Sequence, residues 1–207
     1  MTTAAMSLWL APQPLVLGSR SSARRDMLMA AGIPVELKPA DIDERAVEAR
    51  AGGVGPAQAA LLLAQQKALA ASVLAPGRVV VGADQTLAFG SRRFTKPKDR
   101  HGAFDQLYTL AGQTHELHSG VAVVKDGATM FSHVDTARLS MRALSENFLN
   151  AYLDAAGADA FASVGGYQLE KLGIHLFDRI EGDHFTILGM PLMPLLAYLR
   201  EAGLVAK

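Results

Sequence analysis

The sequence predicts an α/β protein built on a mixed sheet. Three observations carry that prediction. Strand-like and helix-like segments alternate through the first half of the chain. Arg78-Val79-Val80-Val81-Gly82-Ala83-Asp84 is a continuous apolar run, as in strands buried on both faces, and it ends in an acid. Later, two strand-like segments flank Lys125-Asp126-Gly127-Ala128, whose Asp-Gly pair signals a hairpin and hence an antiparallel component.

The elements follow in order. Leu15-Val16-Leu17 is a short buried strand, and Gly18-Ser19-Arg20-Ser21-Ser22 turns the chain. A helix starts near Ala23, with Ser21 or Ser22 as its N-cap and Gly32 past its end. Pro34 to Leu37 is a second strand, and Asp41 to Gly55 a charged, glycine-containing connection. Pro56 opens a long Ala/Leu helix to about Leu74, with proline in the first turn where it is tolerated. The run to Asp84 is the third strand. A helix over about Arg100 to Leu110 stops at Gly112. His115–Val124 and Thr129–Leu139 form the hairpin, Ser145–Ala155 a helix, Ile174–Ile180 a strand and Pro191–Ala202 the last helix.

Composition narrows the function. The 207 residues suffice for one hydrophobic core or two small lobes sharing a cleft. Twenty basic and twenty acidic residues cancel, which argues against a broad nucleic-acid surface but leaves room for one local anion pocket. The absence of cysteine removes disulfides, thiolate zinc sites and a cysteine nucleophile. Met1 to Gly18 carry no charge, but there is no basic n-region and Pro12-Gln13-Pro14 interrupts the apolar stretch, and no other uncharged apolar run reaches the roughly 20 residues that a bilayer span needs. Residues 1–13 are expected to be a loose N-terminal leader and 14–207 a single domain, soluble and cytoplasmic.

Several residues carry chemistry. Arg24 and Arg25 fall in the first turn of a helix, where the dipole disfavours cations. A bound phosphate would reverse that penalty, with free backbone N–H groups and the hydroxyls of Ser19, Ser21 and Ser22 beside it. The plainer alternative leaves both arginines in water. Asp84 follows an apolar strand directly, where α/β proteins gather ligands, and is either a catalytic or metal-binding group or a turn cap. Asp43-Glu44 is a second acidic pair in a connection. Lys67 shares a helix face with Leu63, Ala70 and Leu74, and either snorkels or reaches a phosphate. Lys96 is followed by Pro97, which fixes the local backbone. His115 and His118 would face opposite sides of a strand, so they do not share a metal. Carboxylates together with a cation-lined anion site are the parts needed for metal-assisted attack of water on a phosphoanhydride.

These residues, taken in order, resemble the Maf family of nucleotide pyrophosphatases from about Leu17 to Leu204. The pieces are Ser19-Arg20-Ser21-Ser22-Ala23-Arg24-Arg25, Asp43-Glu44, Leu63-Ala64-Gln65-Gln66-Lys67-Ala68, Gly82-Ala83-Asp84-Gln85, Lys96-Pro97, Leu110-Ala111-Gly112, His115, Gly165-Gly166-Tyr167 and Gly189-Met190-Pro191-Leu192. The resemblance implies a Maf/ITPase-like fold, a mixed central sheet flanked by helices with a cleft between two lobes, often in a homodimer. It implies hydrolysis of a nucleoside triphosphate to a monophosphate and pyrophosphate with a divalent cation, Mg²⁺, Mn²⁺ or Co²⁺. It assigns Asp84 as proton acceptor, with Glu44, Lys67 and Lys96 lining the catalytic cleft. Asp84 and Glu44 are the expected metal ligands, and Ser19, Ser21, Arg24 and Arg25 the expected phosphate contacts.

Three features resemble the 7-methyl-GTP branch of the family. Gln85 stands where the dTTP/UTP enzymes have threonine, the serine-to-arginine spacing is one residue longer, and Glu170 replaces a glutamine. A carboxylate suits guanine, whose edge offers two adjacent N–H donors, and gains further from a methylated, cationic ring. The branch has tryptophan where this chain has Ala23, so an aromatic partner for a cationic base is missing there. Ala23, Gln85 and Glu170 are the expected specificity positions. Two other readings are a broad house-cleaning pyrophosphatase and a non-catalytic nucleotide-binding regulator of septum formation.

Overall fold

Seven strands form one mixed sheet in the computed structural model, which describes residues 8–207. The chain runs β1 (Leu15–Leu17), α1 (Ser22–Ala30), β2 (Val35–Leu37), α2 (Glu44–Arg50), α3 (Pro56–Val73), β3 (Val80–Phe89), β4 (Arg92–Phe94) and α4 (Arg100–Leu110). It continues through β5 (Thr114–Lys125), β6 (Ala128–Met141), α5 (Glu146–Ala156), α6 (Asp159–Ala162), β7 (Phe177–Glu181), α7 (His184–Ile187) and α8 (Leu192–Glu201). Strand order is β2-β1-β3-β5-β6-β7, with β4 paired to the far end of β3. β1 pairs in parallel with both β2 and β3, and the remaining pairings are antiparallel. The mixed α/β sheet predicted from the sequence is therefore present.

β3 organises the molecule. One edge is paired with β5 over nearly its whole length. On the other edge, β1 meets β3 only at Val80 and Val81, and β4 only at Leu87 to Phe89. Between them the edge of β3 is open, and Asp84 lies in that gap. The sequence placed Asp84 at a strand end. It is instead the fifth residue of a ten-residue strand. The neighbouring strand is what ends, at Leu17, and the chain then turns away through Gly18 and Ser19 into α1.

Two apolar cores flank this gap. One includes Leu15, Leu17, Met27, Val81, Val121 and Leu195. The other includes Leu87, Leu107, Leu139, Leu149 and Tyr167. β3 feeds both, so its middle runs between two lobes. α3 crosses the sheet on small residues. Gly82 and Gly120 have no side chain on that face, and α3 presses its backbone at Ala60, Ala64 and Ala68 against them. That close approach places Lys67, on the same helix, beside β3.

Four boundaries depart from the sequence reading. Asp41–Gly55 is not merely a connection, because Asp43 accepts a hydrogen bond from the Ala46 amide and caps α2. The last strand begins at Phe177 rather than Ile174, since Leu172–Leu176 winds into a 3-10 turn. β4 and the short helices α6 and α7 were not predicted. The expected loose leader is anchored over its second half: Trp9 is buried and bridges to Val205. The first seven residues of that leader lie outside the described residues.

Candidate active site

Each side chain at the gap in β3 is placed by a different element. Asp84 points to the face that packs on α3, two residues after Gly82. There Lys67 Nζ donates to Asp84 Oδ1 at 2.5 Å. The same ammonium lies 2.7 Å from Glu44 Oε1, brought in by the first turn of α2. Lys67 and Asp84 are well shielded from solvent, and Glu44 is about half exposed (16%, 12% and 52% side-chain exposure). Carboxylates 17 residues after Lys67 and 23 residues before it thus meet on one cation.

Arg24 takes an unexpected role. Its Nε donates to Gly189 O at 2.8 Å, and its Nη1 donates to Ala83 O at 2.9 Å and to Ser19 Oγ at 3.1 Å. The guanidinium satisfies an open-edge carbonyl of β3 and ties it to the turn between α7 and α8. Burial pushes its pKa below the ordinary arginine value, and the nearby charges of Asp84 and Glu44 oppose that shift. Arg25 does not join it. It pairs with its neighbour Asp26 on the exposed side of the helix. Ser21 is the N-cap, accepting from the Arg24 amide, which settles the choice between Ser21 and Ser22.

These groups line a cleft of about 1600 Å³. Ser19, Ser21, Ala23, Arg24, Glu44, Lys67, Asp84, Gln85, Lys96 and Glu170 all contribute to its walls. Lys96 is exposed in the loop after β4, with no ion-pair partner among the described residues. Gln85 faces away from α3, and its Nε2 donates to Ser119 Oγ, Thr186 O and Ile187 O. Its amide nitrogen is therefore engaged in holding α7. Sequence reasoning missed Arg20, Arg45, Arg93 and Lys98, all on the cleft wall. Arg20, Arg45 and Lys98 lie within two residues of predicted site groups, a signal that was available.

Buried behind the wall, Tyr167 and His115 form a 2.6 Å hydrogen bond. Burial lowers the His115 pKa to about 4, so the ring is neutral near pH 7. Tyr152 Oη donates to Gly166 O, and Gln106 accepts from the Gly165 amide. Gly165 and Gly166 both have positive φ, which this turn needs and glycine adopts without strain. The turn presents Gln168 to Lys171 to the cleft.

The donor set admits a divalent cation. Asp84 and Glu44 already converge on one positive charge. Among the described residues no group of three or more His, Cys, Asp or Glu side chains could hold a metal. Two carboxylates completed by water and phosphate oxygens are the usual setting of Mg²⁺ rather than of a caged structural ion.

An α/β sheet with one edge of its central strand left open, where a strand aspartate and a helix glutamate meet inside a cation-rimmed cleft, defines a protein suited to a polyanionic ligand. The chain belongs to the Maf family: residues 14–202 match the family described as Maf-like protein. A nucleoside triphosphate pyrophosphatase of Rhodopseudomonas palustris is 58% identical over 97% of this chain and 100% of its own. The same name attaches to a Bradyrhizobium diazoefficiens relative, 55% identical over the same shares. A Mesorhizobium japonicum relative named 7-methyl-GTP pyrophosphatase is 48% identical over 93% of this chain and 98% of its own. A HAM1 protein structure from Coxiella burnetii aligns over 63% of this chain and 74% of its own at TM-score 0.43 and 16% identity, too distant to add to the argument.

Proposed function

We propose that this chain hydrolyses nucleoside triphosphates to a nucleoside monophosphate and pyrophosphate. The observation that carries the reading is the convergence of Asp84 and Glu44 on Lys67 at the open edge of β3. The names of the relatives, nucleoside triphosphate pyrophosphatases, support it.

The chemistry follows from those positions. A water oxygen bonds to the α-phosphorus as the bond to the α–β bridging oxygen breaks, and pyrophosphate leaves. Asp84 orients that water and accepts one of its protons. Lys67, held between the carboxylates, and Lys96, without an anionic partner, meet the charge on the phosphate oxygens. Asp84 and Glu44 would hold a divalent cation, which when bound neutralises polyphosphate charge and polarises the reacting phosphorus. Ser19 and Ser21 offer hydroxyls at the phosphate end. Arg24 fixes the open edge through its three hydrogen bonds, and its Nη2, which donates none among the described residues, is left for a phosphate oxygen. Arg25, turned to Asp26, reaches a phosphate only by leaving that pair.

Among bases, the reading puts 7-methyl-GTP first. Glu170 is exposed on the cleft wall, where its carboxylate suits adjacent N–H donors and a cationic ring. Gln85 acts through its hold on α7, and Ala23 leaves room at the wall rather than a ring. A broad-specificity enzyme is the second reading, favoured by the relatives whose names specify no base. No helix among the described residues is long and apolar enough to cross a membrane. That fits a cytoplasmic enzyme acting on free nucleotides.

Product analysis in ¹⁸O-labelled water tests the reaction. The reading expects pyrophosphate plus a monophosphate carrying the label. Release of inorganic phosphate and a diphosphate would overturn it.

A further inference from the structure

We infer that Glu48 and Arg93 are positioning residues, whose ion pair sets Glu44 against Lys67 and Asp84. The inference rests on the proposed role of Glu44 in the site. It starts from how poorly α2 is otherwise held. The helix has seven residues, and none of them is buried. It is followed by Gly52 and Gly53, both with positive φ and nothing within 4 Å of a would-be Cβ. The helix lies against α3 with Ala46, Val47 and Glu48 only half-buried, and it adds no residue to the apolar cores, so packing defines weakly where its first turn points.

Two ion pairs supply what packing does not. Among the described residues, the side chains of α2 make charged contacts at two points only. Glu44 Oε1 lies 2.7 Å from Lys67 Nζ, and Glu48 Oε1 lies 2.6 Å from Arg93 Nη2. Glu44 and Glu48 are four residues apart, so they share one face of the helix. A nucleotide that draws Lys67 onto its phosphates leaves Glu48–Arg93 as the tether of α2.

The other end of that tether is firm. Arg93 lies on β4, paired in register with Ala88 of β3. The next residue, Phe94, is buried, and Gln106 Nε2 donates to Thr95 O just beyond it. Both partners of the ion pair are about two-thirds shielded (31% and 30% side-chain exposure), and Arg93 Nε is buried without a hydrogen-bond partner among the described residues. The pair is thus less screened than an open surface bridge. Arg93 fixes the site through Glu48 rather than by holding phosphate itself.

The test combines kinetics with a probe that is independent of turnover. Because the chain has no cysteine, Arg50→Cys places a single nitroxide label at the end of α2. Glu48→Gln and Arg93→Gln are each expected to lower kcat by about ten- to a hundredfold, with KM moving less than about threefold. Both are expected to raise the mobility of the label. The reversed pair, Glu48→Arg with Arg93→Glu, is expected to recover kcat above either single reversal and to restore the slow spectrum. An unchanged label spectrum in both glutamine variants overturns the proposal. So does an Arg93→Gln loss that falls on KM and is not recovered by reversal, which would make Arg93 a direct phosphate contact. If the wild-type chain releases no pyrophosphate, the functional reading fails, and the label spectrum alone decides whether α2 is tethered as inferred.

Discussion

Replacing Gly82 with alanine probes how the helix that carries Lys67 is seated. A Cβ at position 82 would lie 2.2 Å from Ala64 O, 2.5 Å from Ala68 N and 2.9 Å from Ala68 Cβ. The first two are backbone atoms of α3, so no side-chain rotation relieves them. Ordinary contact begins at 3.4 Å, and α3 must therefore lift from the sheet by about 1 Å. Overpacking of this kind costs about 1–3 kcal/mol. For a chain of this size each kcal/mol lowers Tm by about 2–4 °C. The catalytic loss is expected to be larger, because Lys67 moves with the helix and its 2.5 Å bond to Asp84 opens. A displacement of that size costs about a hundredfold in turnover. Thermal unfolding and pyrophosphate release, measured on the same preparations, give the two numbers. Gly102→Ala is the control, since its Cβ would meet Asp99 Oδ1 at 3.4 Å inside α4, where alanine is the better helix former. Wild-type Tm and kcat in Gly82→Ala would refute the reasoning.

Three further outcomes are expected. His115 is held neutral by burial with its pKa lowered to about 4, so the unfolded chain binds the extra proton between that value and the ordinary 6.5. Stability contributed there is full above pH 6.5 and is lost as pH falls towards 4, by about 3 kcal/mol at most; denaturant midpoints across that range should drop less in His115→Gln than in wild type. Arg24→Lys cannot reproduce the three bonds to Gly189 O, Ala83 O and Ser19 Oγ, and is expected to lose about 1–3 kcal/mol in urea unfolding; unchanged stability with a raised KM would make Arg24 a phosphate ligand alone. Glu170→Gln is expected to lower the preference for 7-methyl-GTP over UTP by about tenfold in kcat/KM; an unchanged ranking counts against a role for Glu170 at the base.

The parts of the fold that were legible share a cause. β1, the β5–β6 hairpin and α3 have apolar patterns or turn signals that belong to their own segment, so local reading suffices. α2 was missed because it buries no residue fully and has no apolar stripe, although Asp43 caps it, Glu44 and Arg50 suit its two ends and Glu, Ala and Arg are good helix formers. The length of β3 was missed because Gln85 and Thr86 break the apolar run, although both sit inside the sheet. Trp9 in an uncharged leader reads as loose until its partner near the C-terminus is known. Within the site, the residue types at Asp84, Glu44 and Lys67 were legible and their meeting on one ammonium was not. Arg24 is the instructive departure. Its place in a first helical turn suggested phosphate, but the carbonyl left open where β1 stops is a partner that only the topology creates.

The central claim is tested most directly by pyrophosphate release from the purified protein, with Mg²⁺ or Mn²⁺, across 7-methyl-GTP, GTP, UTP, dTTP and CTP, with Asp84→Asn alongside. The account predicts metal-dependent release with the highest kcat/KM on 7-methyl-GTP, abolished in Asp84→Asn. Comparable release across several bases would keep the pyrophosphatase and discard the base preference. Nucleotide binding without release from any of them would contradict the account and leave a regulator that senses nucleotides without hydrolysing them.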